Sequence, residues 1–275
     1  MPCMIHLLIV GNKHAAKGLL IIALSFLKHN DSPVSIHFLT MDHSQVDPRF
    51  VPPSDAQIDY VRKLLQQSNP SSDIFVYDVG EEFRATKWHR KFNRSSYTPY
   101  ALLRLFSDKL NLPDKVLYLD TDTFILGNIK PLYETEMGDH EFAACYDQLG
   151  TFWISANYQN SGVLLMNMKR IKETGLLHKC RKFLAKRHPI LADQDALNAM
   201  VLQKQFLPQV YNEQKHSHDD TVIRHFSKTL RWIPFFHTLN VKPWDVDRIH
   251  KVDDYSRYQD VLEDFLSRKE EFEQL

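Results

Sequence analysis

The stretch KVLYLDTDTFIL, residues 115–126, decides how the chain is read. Val116, Leu117, Tyr118 and Leu119 are consecutive strand-forming apolar residues, which is the pattern of a strand buried on both faces. Two carboxylates, Asp120 and Asp122, follow one residue apart, and the chain then turns apolar again at Phe124. Acids in an ordinary solvated turn seldom sit between two apolar runs. Side chains at i and i+2 project to the same side while a strand continues, and at a strand end a bend lets both converge on one divalent cation. Hard oxygen ligands suit magnesium or manganese, the usual companions of a diphosphate.

The surrounding sequence alternates strand and helix patterns. Met4 to Val10 is a short apolar run, and Ala15 to Leu27 is apolar around the clock, as a well-buried helix would be. Val34 to Thr40 predicts a second strand, Asp55 to Gln67 a helix, and Ile74 to Tyr77 a third strand. Tyr100 to Leu110 predicts a helix that leads through LPDK into the acidic strand. Glu141 to Tyr146 and Ser161 to Asn167 predict further strands, and Ile171 to Leu184 and Gln194 to Val201 helical stretches. This alternation predicts an α/β fold with a mostly parallel sheet covered by helices on both faces. In such sheets ligands bind beyond the carboxyl ends of the strands, where the two acids stand.

Composition narrows the function classes. The 275 residues, 43% hydrophobic, suffice for an enzyme-sized core. With 34 basic and 34 acidic side chains, the chain has no footprint for binding nucleic acid. Cys3, Cys145 and Cys180 are odd in number, far apart and without a CxxC pair, which favours a reducing compartment over a disulfide framework or structural zinc. The apolar stretches of the first thirty residues are interrupted by Gly11, Asn12, Lys13, His14 and Lys17. They are too short to span a bilayer and have no basic leader, so any membrane contact is expected to be peripheral. The last thirty residues are charge-rich, with Leu262, Phe265 and Phe272 at helical spacing. They predict an amphipathic helix that docks on the body, on a partner or on a membrane.

Three other segments are polar where the local pattern predicts burial. Asn160 and Ser161 lead, with Gly162, into a strand in NYQNSGVLLMNMKR. Asp193, Gln194 and Asp195 open a helix in HPILADQDALNAM, where an acid can also simply cap free N–H groups. His225 ends an apolar stretch in TVIRHFSKTLRW, a place where a histidine is either a hydrogen-bonded core residue or a ligand.

Taken together, and in this order, these segments resemble the family-8 retaining glycosyltransferases, which include glycogenin-like enzymes and bacterial lipopolysaccharide galactosyl- and glucosyltransferases. The resemblance runs from about Ile5 to Trp244. It rests on LYLDTDTFILGNI, YQNSGVLLMNMKR, DQDALN, and IRHF with the later KPW. It implies a GT-A fold at residues 1–245, followed by a helical tail at 246–275. It also implies a nucleotide-sugar donor, usually UDP-linked, with Mn2+ (or Mg2+) held by Asp120, Asp122 and His225. Val10, Asn12, His14, Thr121, Ser161 and Lys242 would line the donor, and Arg104, with its fixed cationic fork, would face the diphosphate or sugar. Its other reading is an interhelical salt bridge. Asp147, Asn160, Asp193 and Gln194 match positions around the transferred sugar, where hydrogen bonds to hydroxyls can set sugar identity. Gln194 would lie beneath the anomeric carbon, with Asp195 as the alternative nucleophile.

The match is irregular at its end. HFSKTLRW has Lys228 and Arg231 where the family has glycine and lysine. The intact Lys242, Pro243 and Trp244 follow His237 at five residues instead of six. The reading adopted takes His225 as ligand, with an insertion before Lys242; His237 is the alternative. The first loop, VGNKHA, lacks the family's usual acid and aromatic. Expected partners are a UDP-sugar donor, glucose or galactose, and a glycan, lipid-linked or protein acceptor, in a cytoplasmic protein with peripheral membrane contact through the tail and homodimer formation both open. Two rivals are a non-catalytic relative that binds the sugar nucleotide and a HAD-type phosphatase. The latter wants threonine or valine where Phe124 stands.

Overall fold

In the computed structural model, which describes residues 3–86, 88–92, 99–187, 189–231 and 237–275, the run before the two acids is a strand. Side chains at positions 89, 91, 229–231 and 237 lie outside this description. In chain order the strands are β1 (Ile5–Val10), β2 (Val34–Thr40), β3 (Asp73–Asp78), β4 (Lys115–Leu119), β5 (Thr123–Ile125), β6 (Phe142–Tyr146), β7 (Gln159–Asn167), β8 (Gln205–Phe206), β9 (Ile223–His225), β10 (Thr229–Arg231) and β11 (His237–Leu239). Seven of them form one sheet in the order β3-β2-β1-β4-β7-β6-β8. Only β7 runs against its sheet neighbours. That reversal brings the amino end of β7 beside the carboxyl end of β4, with Leu119 opposite Val163.

The central strands divide their side chains between two cores. Leu117 and Leu119 of β4 pack with helices Ala16–His29, Asp55–Ser68 and Gln259–Gln274 on one face. Val116 and Tyr118 pack on the other face with Pro99–Lys109, Leu176–Lys186 and Ala192–Met200. The GT-A class expected from the sequence is the one observed: a mostly parallel mixed sheet covered on both faces.

Two elements differ from the sequence reading. Residues Pro99–Lys109 wind as a 3-10 helix. Leu102, Leu103, Arg104, Leu105 and Phe106 are all buried, so their apolar pattern fits either winding. The helical stretch near 171–184 is two helices, Met168–Thr174 and Leu176–Lys186, divided at Gly175, whose φ of 67° ends the first. The end of β4 agrees with that reading. The strand stops at Leu119, and the chain restarts as β5, which pairs antiparallel with β9.

The C-terminal helix docks on the body. Leu262, Phe265 and Phe272 are buried against the first core, and Phe272 accepts a hydrogen bond from Gln57 Nε2 (3.1 Å). Just before it, Asp253 forms a buried ion pair with Arg224 of β9 (2.7 Å) and accepts hydrogen bonds from Ser217 and the Tyr258 hydroxyl. Arg224 also donates to the carbonyls of Glu213 and Lys215. The tail therefore braces the strand that carries His225. Among the described residues no helix is long and apolar enough to cross a membrane. Removing Asp253 strands a buried guanidinium, so Asp253→Ala is expected to lower stability by about 3–5 kcal/mol in urea unfolding. Asp260→Ala, which removes only the exposed pair with Lys28, should leave the midpoint where it was.

Candidate active site at the ends of β4 and β7

Asp120, Thr121 and Asp122 form the corner between β4 and β5. The corner is pinned by its backbone: Asp120 N–H donates to Gly162 O (2.8 Å), Thr123 N–H to Asp120 O (3.1 Å), and Asp122 O accepts from Phe226 N–H (2.8 Å). Because β5 pairs with β9, Thr123 stands opposite His225, and the imidazole swings to the corner. His225 Nε2 lies 3.3 Å from Asp122 Oδ1 and 3.7 Å from Asp120 Oδ2. One ligand atom from each of the three side chains lies within 4.8 Å of the others, a spacing that one cation can bridge. The ring packs directly on Gly162, where an added Cβ would come within 2.1 Å of His225 Cε1. That close approach gives the glycine of the QNSG segment a physical reason.

Positive charge surrounds the corner. Arg104, 3% exposed, donates through Nη2 to Asp120 Oδ1 (2.8 Å), through Nη1 to Ser161 O, and stacks 4.0 Å over the Tyr118 ring. Its Nε is 3.1 Å from Asp193 Oδ2, yet that N–H is directed at Ala101 O (3.0 Å). Asp193 Oδ2 is thus buried beside a cation without a directional hydrogen bond among the described residues. The Tyr118 hydroxyl also donates to Asp120 Oδ1 (2.5 Å). On the other side the Lys242 ammonium bonds Asp122 Oδ2 and Phe226 O. Burial alone would raise the Asp122 pKa, but Lys242 and His225 more than offset it and hold the carboxyl well below the usual range. Asp193 shows the opposite balance: burial outweighs Arg104 and pushes its pKa up to about 6.

A second cluster adjoins the first. Asp147 Oδ1 accepts from the N–H groups of Leu149 (3.1 Å) and Gly150 (2.6 Å). Its Oδ2 accepts from Asn160 Nδ2 (2.8 Å) and Gln194 Nε2 (3.1 Å). Gln194 Oε1 in turn accepts from Ser161 N–H (2.9 Å). The helix bearing Asp193 and Gln194 starts from Ala192, a non-glycine residue at φ 36°, a strained conformation kept where it orients the two side chains. Asp195 faces elsewhere. Its Oδ1 takes the Tyr158 hydroxyl and its Oδ2 the Leu191 N–H (2.9 Å), and it lines a cleft of about 630 Å3 that contains none of the other expected site residues. So the capping reading of this acidic cluster describes Asp195, while Asp193 turns to Arg104.

The remaining expected residues are spread around this centre. With Ile9 opposite Leu119, Val10 ends β1 beside Asp120. Asn12 is buried and spends its side chain capping Ala15 N–H (3.2 Å), while His14 is exposed. Thr121 is half-buried at the corner itself. The insertion between His225 and Lys242 contains an antiparallel pair, β10 with β11, and both side chains nonetheless reach Asp122. His237 opens β11, but its side chain lies outside those described. Sequence reading missed Tyr118, taken only as strand-forming, and Asn212, which is fully buried and accepts from His225 Nδ1 at 3.1 Å. No periodic pattern marks Asn212 in LPQVYNEQ.

The mixed sheet of this order is a GT-A fold, and it carries a strand-end acid pair beside an imidazole. The family model of glycosyl transferase family 8 matches residues 6–247, and the chain belongs to that family. Among curated relatives it is 30% identical to glycosyltransferase GlyE of Streptococcus pneumoniae over 140 residues, half of this chain and 32% of GlyE. It is 25% identical to the lipopolysaccharide 1,3-galactosyltransferase of Salmonella typhimurium over 162 residues, 52% of this chain and 47% of that enzyme. The chain therefore matches less than half the length of either. Among solved structures, an active-site variant of LgtC superposes with a TM-score of 0.70 at 20% identity, covering 94% of this chain and 96% of that one. The crystal structure of GlyE gives 0.66 at 21% identity, over 97% of this chain and 65% of that one. These two likenesses establish the fold.

The Asp193 environment yields a pH test on metal-free protein. Its folded pKa of about 6 lies above the ordinary aspartate value of 3.8, so the folded state binds the proton more tightly. The resulting stabilisation is complete below the unfolded pKa and is lost as pH rises through 6. Relative to Asp193→Asn, the parent should lose about 3 kcal/mol of unfolding free energy between pH 3.5 and pH 7 in urea titrations. A difference that does not change with pH would contradict the assigned environment.

Proposed function

We propose that this chain is a retaining hexosyltransferase that moves glucose or galactose from a UDP-sugar to an acceptor, with Mn2+ or Mg2+ at Asp120, Asp122 and His225. The observation that carries the reading is the meeting of these three groups at one corner, next to the amide and carboxyl cluster of Asp147, Asn160, Asp193 and Gln194. The donor set fits the ion: two carboxylates and one imidazole are the hard and borderline ligands such a cation takes. When bound, the cation neutralises the donor's diphosphate and stabilises the departing nucleotide.

The chain's own groups supply the rest. Lys242 is within reach of a phosphate at the corner and would exchange part of its bond to Asp122 for one to the diphosphate. Arg104 holds Asp120 and Asp193 in place beside that space. Asp147 and Asn160 border the same space. Retention by double displacement would need a carboxylate nucleophile, as in retaining glycosidases. Asp195, with both oxygens occupied at a different cleft, is badly placed for that role, and the Gln194 amide is a poor nucleophile. The reading favoured is attack on the front face: the C1–O bond to phosphate breaks, the acceptor oxygen bonds C1 on that same face, and its proton passes to the departing diphosphate. Gln194, held by Ser161 and Asp147, supports the positive charge that develops at the sugar.

A cytoplasmic location is consistent with three free cysteines, Cys145 and Cys180 both buried. Peripheral attachment to a membrane would have to use surfaces other than the stripe of Leu262, Phe265 and Phe272, which the body covers. The test is Mn2+-dependent turnover of UDP-glucose and UDP-galactose, with product configuration read by NMR. Turnover with retention is expected, and Asp122→Asn should reduce it at least about 100-fold. Nucleotide-independent phosphate release would indicate a phosphatase, and donor binding without turnover a non-catalytic relative. Either result would overturn the proposal.

A further inference from the structure

Behind the metal-binding corner lies a chain of buried amides whose direction can be read from its fixed end. Asp147 is that end. In its ionised form a carboxylate only accepts hydrogen bonds, so the Asn160 atom 2.8 Å from Asp147 Oδ2 must be the amide nitrogen. Asn160 Oδ1 then faces the other way, where it accepts from Gly162 N–H (2.9 Å), a backbone donor whose identity is not in question. The same oxygen is 2.9 Å from Asn212, which must present its Nδ2 there. Asn212 consequently turns its Oδ1 toward His225 Nδ1, 3.1 Å away. An acceptor at that position requires Nδ1 to carry a proton. Neutral His225 is thereby held as the Nδ1–H tautomer, with the Nε2 lone pair directed at Asp120 and Asp122. Asn212 is 0% exposed and Asn160 5%, so water cannot readily replace either partner.

We infer that Asn212 is a positioning residue for the cation: it orients His225 and selects its ligating tautomer, and its own orientation is set through Asn160 by Asp147. The inference rests on the metal reading given above and adds a residue to it that touches neither donor nor metal. It also joins the two halves of the site. Asp147 and Asn160, which border the sugar space, and His225, which faces the corner, are links of one hydrogen-bonded chain. Partners behind a ligating histidine typically change metal affinity 10–100-fold when removed.

The test is Mn2+ affinity, measured by electron paramagnetic resonance of free Mn2+, on the parent, Asn212→Leu and Asn212→Asp, with metal-free thermal melts as the control for folding. Leu is close to Asn in size but accepts nothing, and affinity should fall 10–100-fold. Asp keeps an acceptor for Nδ1–H and should hold affinity within a few-fold of the parent, although it loses the bond to Asn160. Asn212→Ala, which removes the acceptor without adding bulk, is measured in parallel and should behave as Leu does. If Leu and Ala bind Mn2+ as the parent does, the inference is wrong and the metal reading stands. If Asp is weakened as much as Leu, an acceptor facing Nδ1–H is not what Mn2+ affinity depends on, and the inference is again wrong. A parent protein that binds no Mn2+ would remove the metal reading and this inference with it.

Discussion

Negative charge gathered at the end of a buried strand is the constraint on which the rest of the structure depends. Asp120 and Asp122 face one cation-sized space, Asp193 shares Arg104 with Asp120, and ionised carboxylates brought this close repel one another unless cations are supplied. The fold supplies them from distant parts of the chain. Arg104 comes from the helix before β4 and bridges Asp120 to Asp193, and Lys242 comes from beyond the pair of β10 and β11 and takes Asp122. Neither can be exchanged for a neutral residue without leaving an acid poorly compensated.

The architecture around the corner follows from this demand. Stopping β4 at Leu119 and restarting it as β5 creates the bend at which both acids face the same space, and pairing β5 with β9 delivers the imidazole. Reversing β7 places Asn160, Ser161 and Gly162 at the same edge, so a glycine can admit the ring and an asparagine can begin the amide chain behind it. The final thirty residues belong to this arrangement as well, because Asp253 holds Arg224, the neighbour of His225. Of the three expected places for the tail, body, partner or membrane, the body is where the helix docks, and it braces the strand of His225.

Much of this was legible in the sequence, for identifiable reasons. Buried strands announce themselves by runs such as VLYL, and the two acids stood out because they interrupt one. The helix–strand alternation sufficed for the α/β class, and motif order sufficed for the family. What could not be read depends on contacts across the fold. The direction of β7 leaves no mark on its own residues, and the winding of Pro99–Lys109 is invisible when its side chains are apolar on nearly every side. Asp193, Gln194 and Asp195 look alike as a helix start, and only packing sends Asp193 to Arg104 and Asp195 to Tyr158. Asn12 fits a cap as well as it fits a ligand, and the structure uses it as a cap. Asn212 carries no local signal at all, since its significance lies in partners 13 and 52 residues away.

The most direct test of the central claim is anomalous diffraction at the manganese edge from crystals soaked in Mn2+ and UDP. The account predicts one strong peak bounded by Asp120, Asp122 and His225 Nε2, with Lys242 shifted toward the diphosphate. A structure with nucleotide bound but no peak there, and with Lys242 still closing on Asp122, would contradict it.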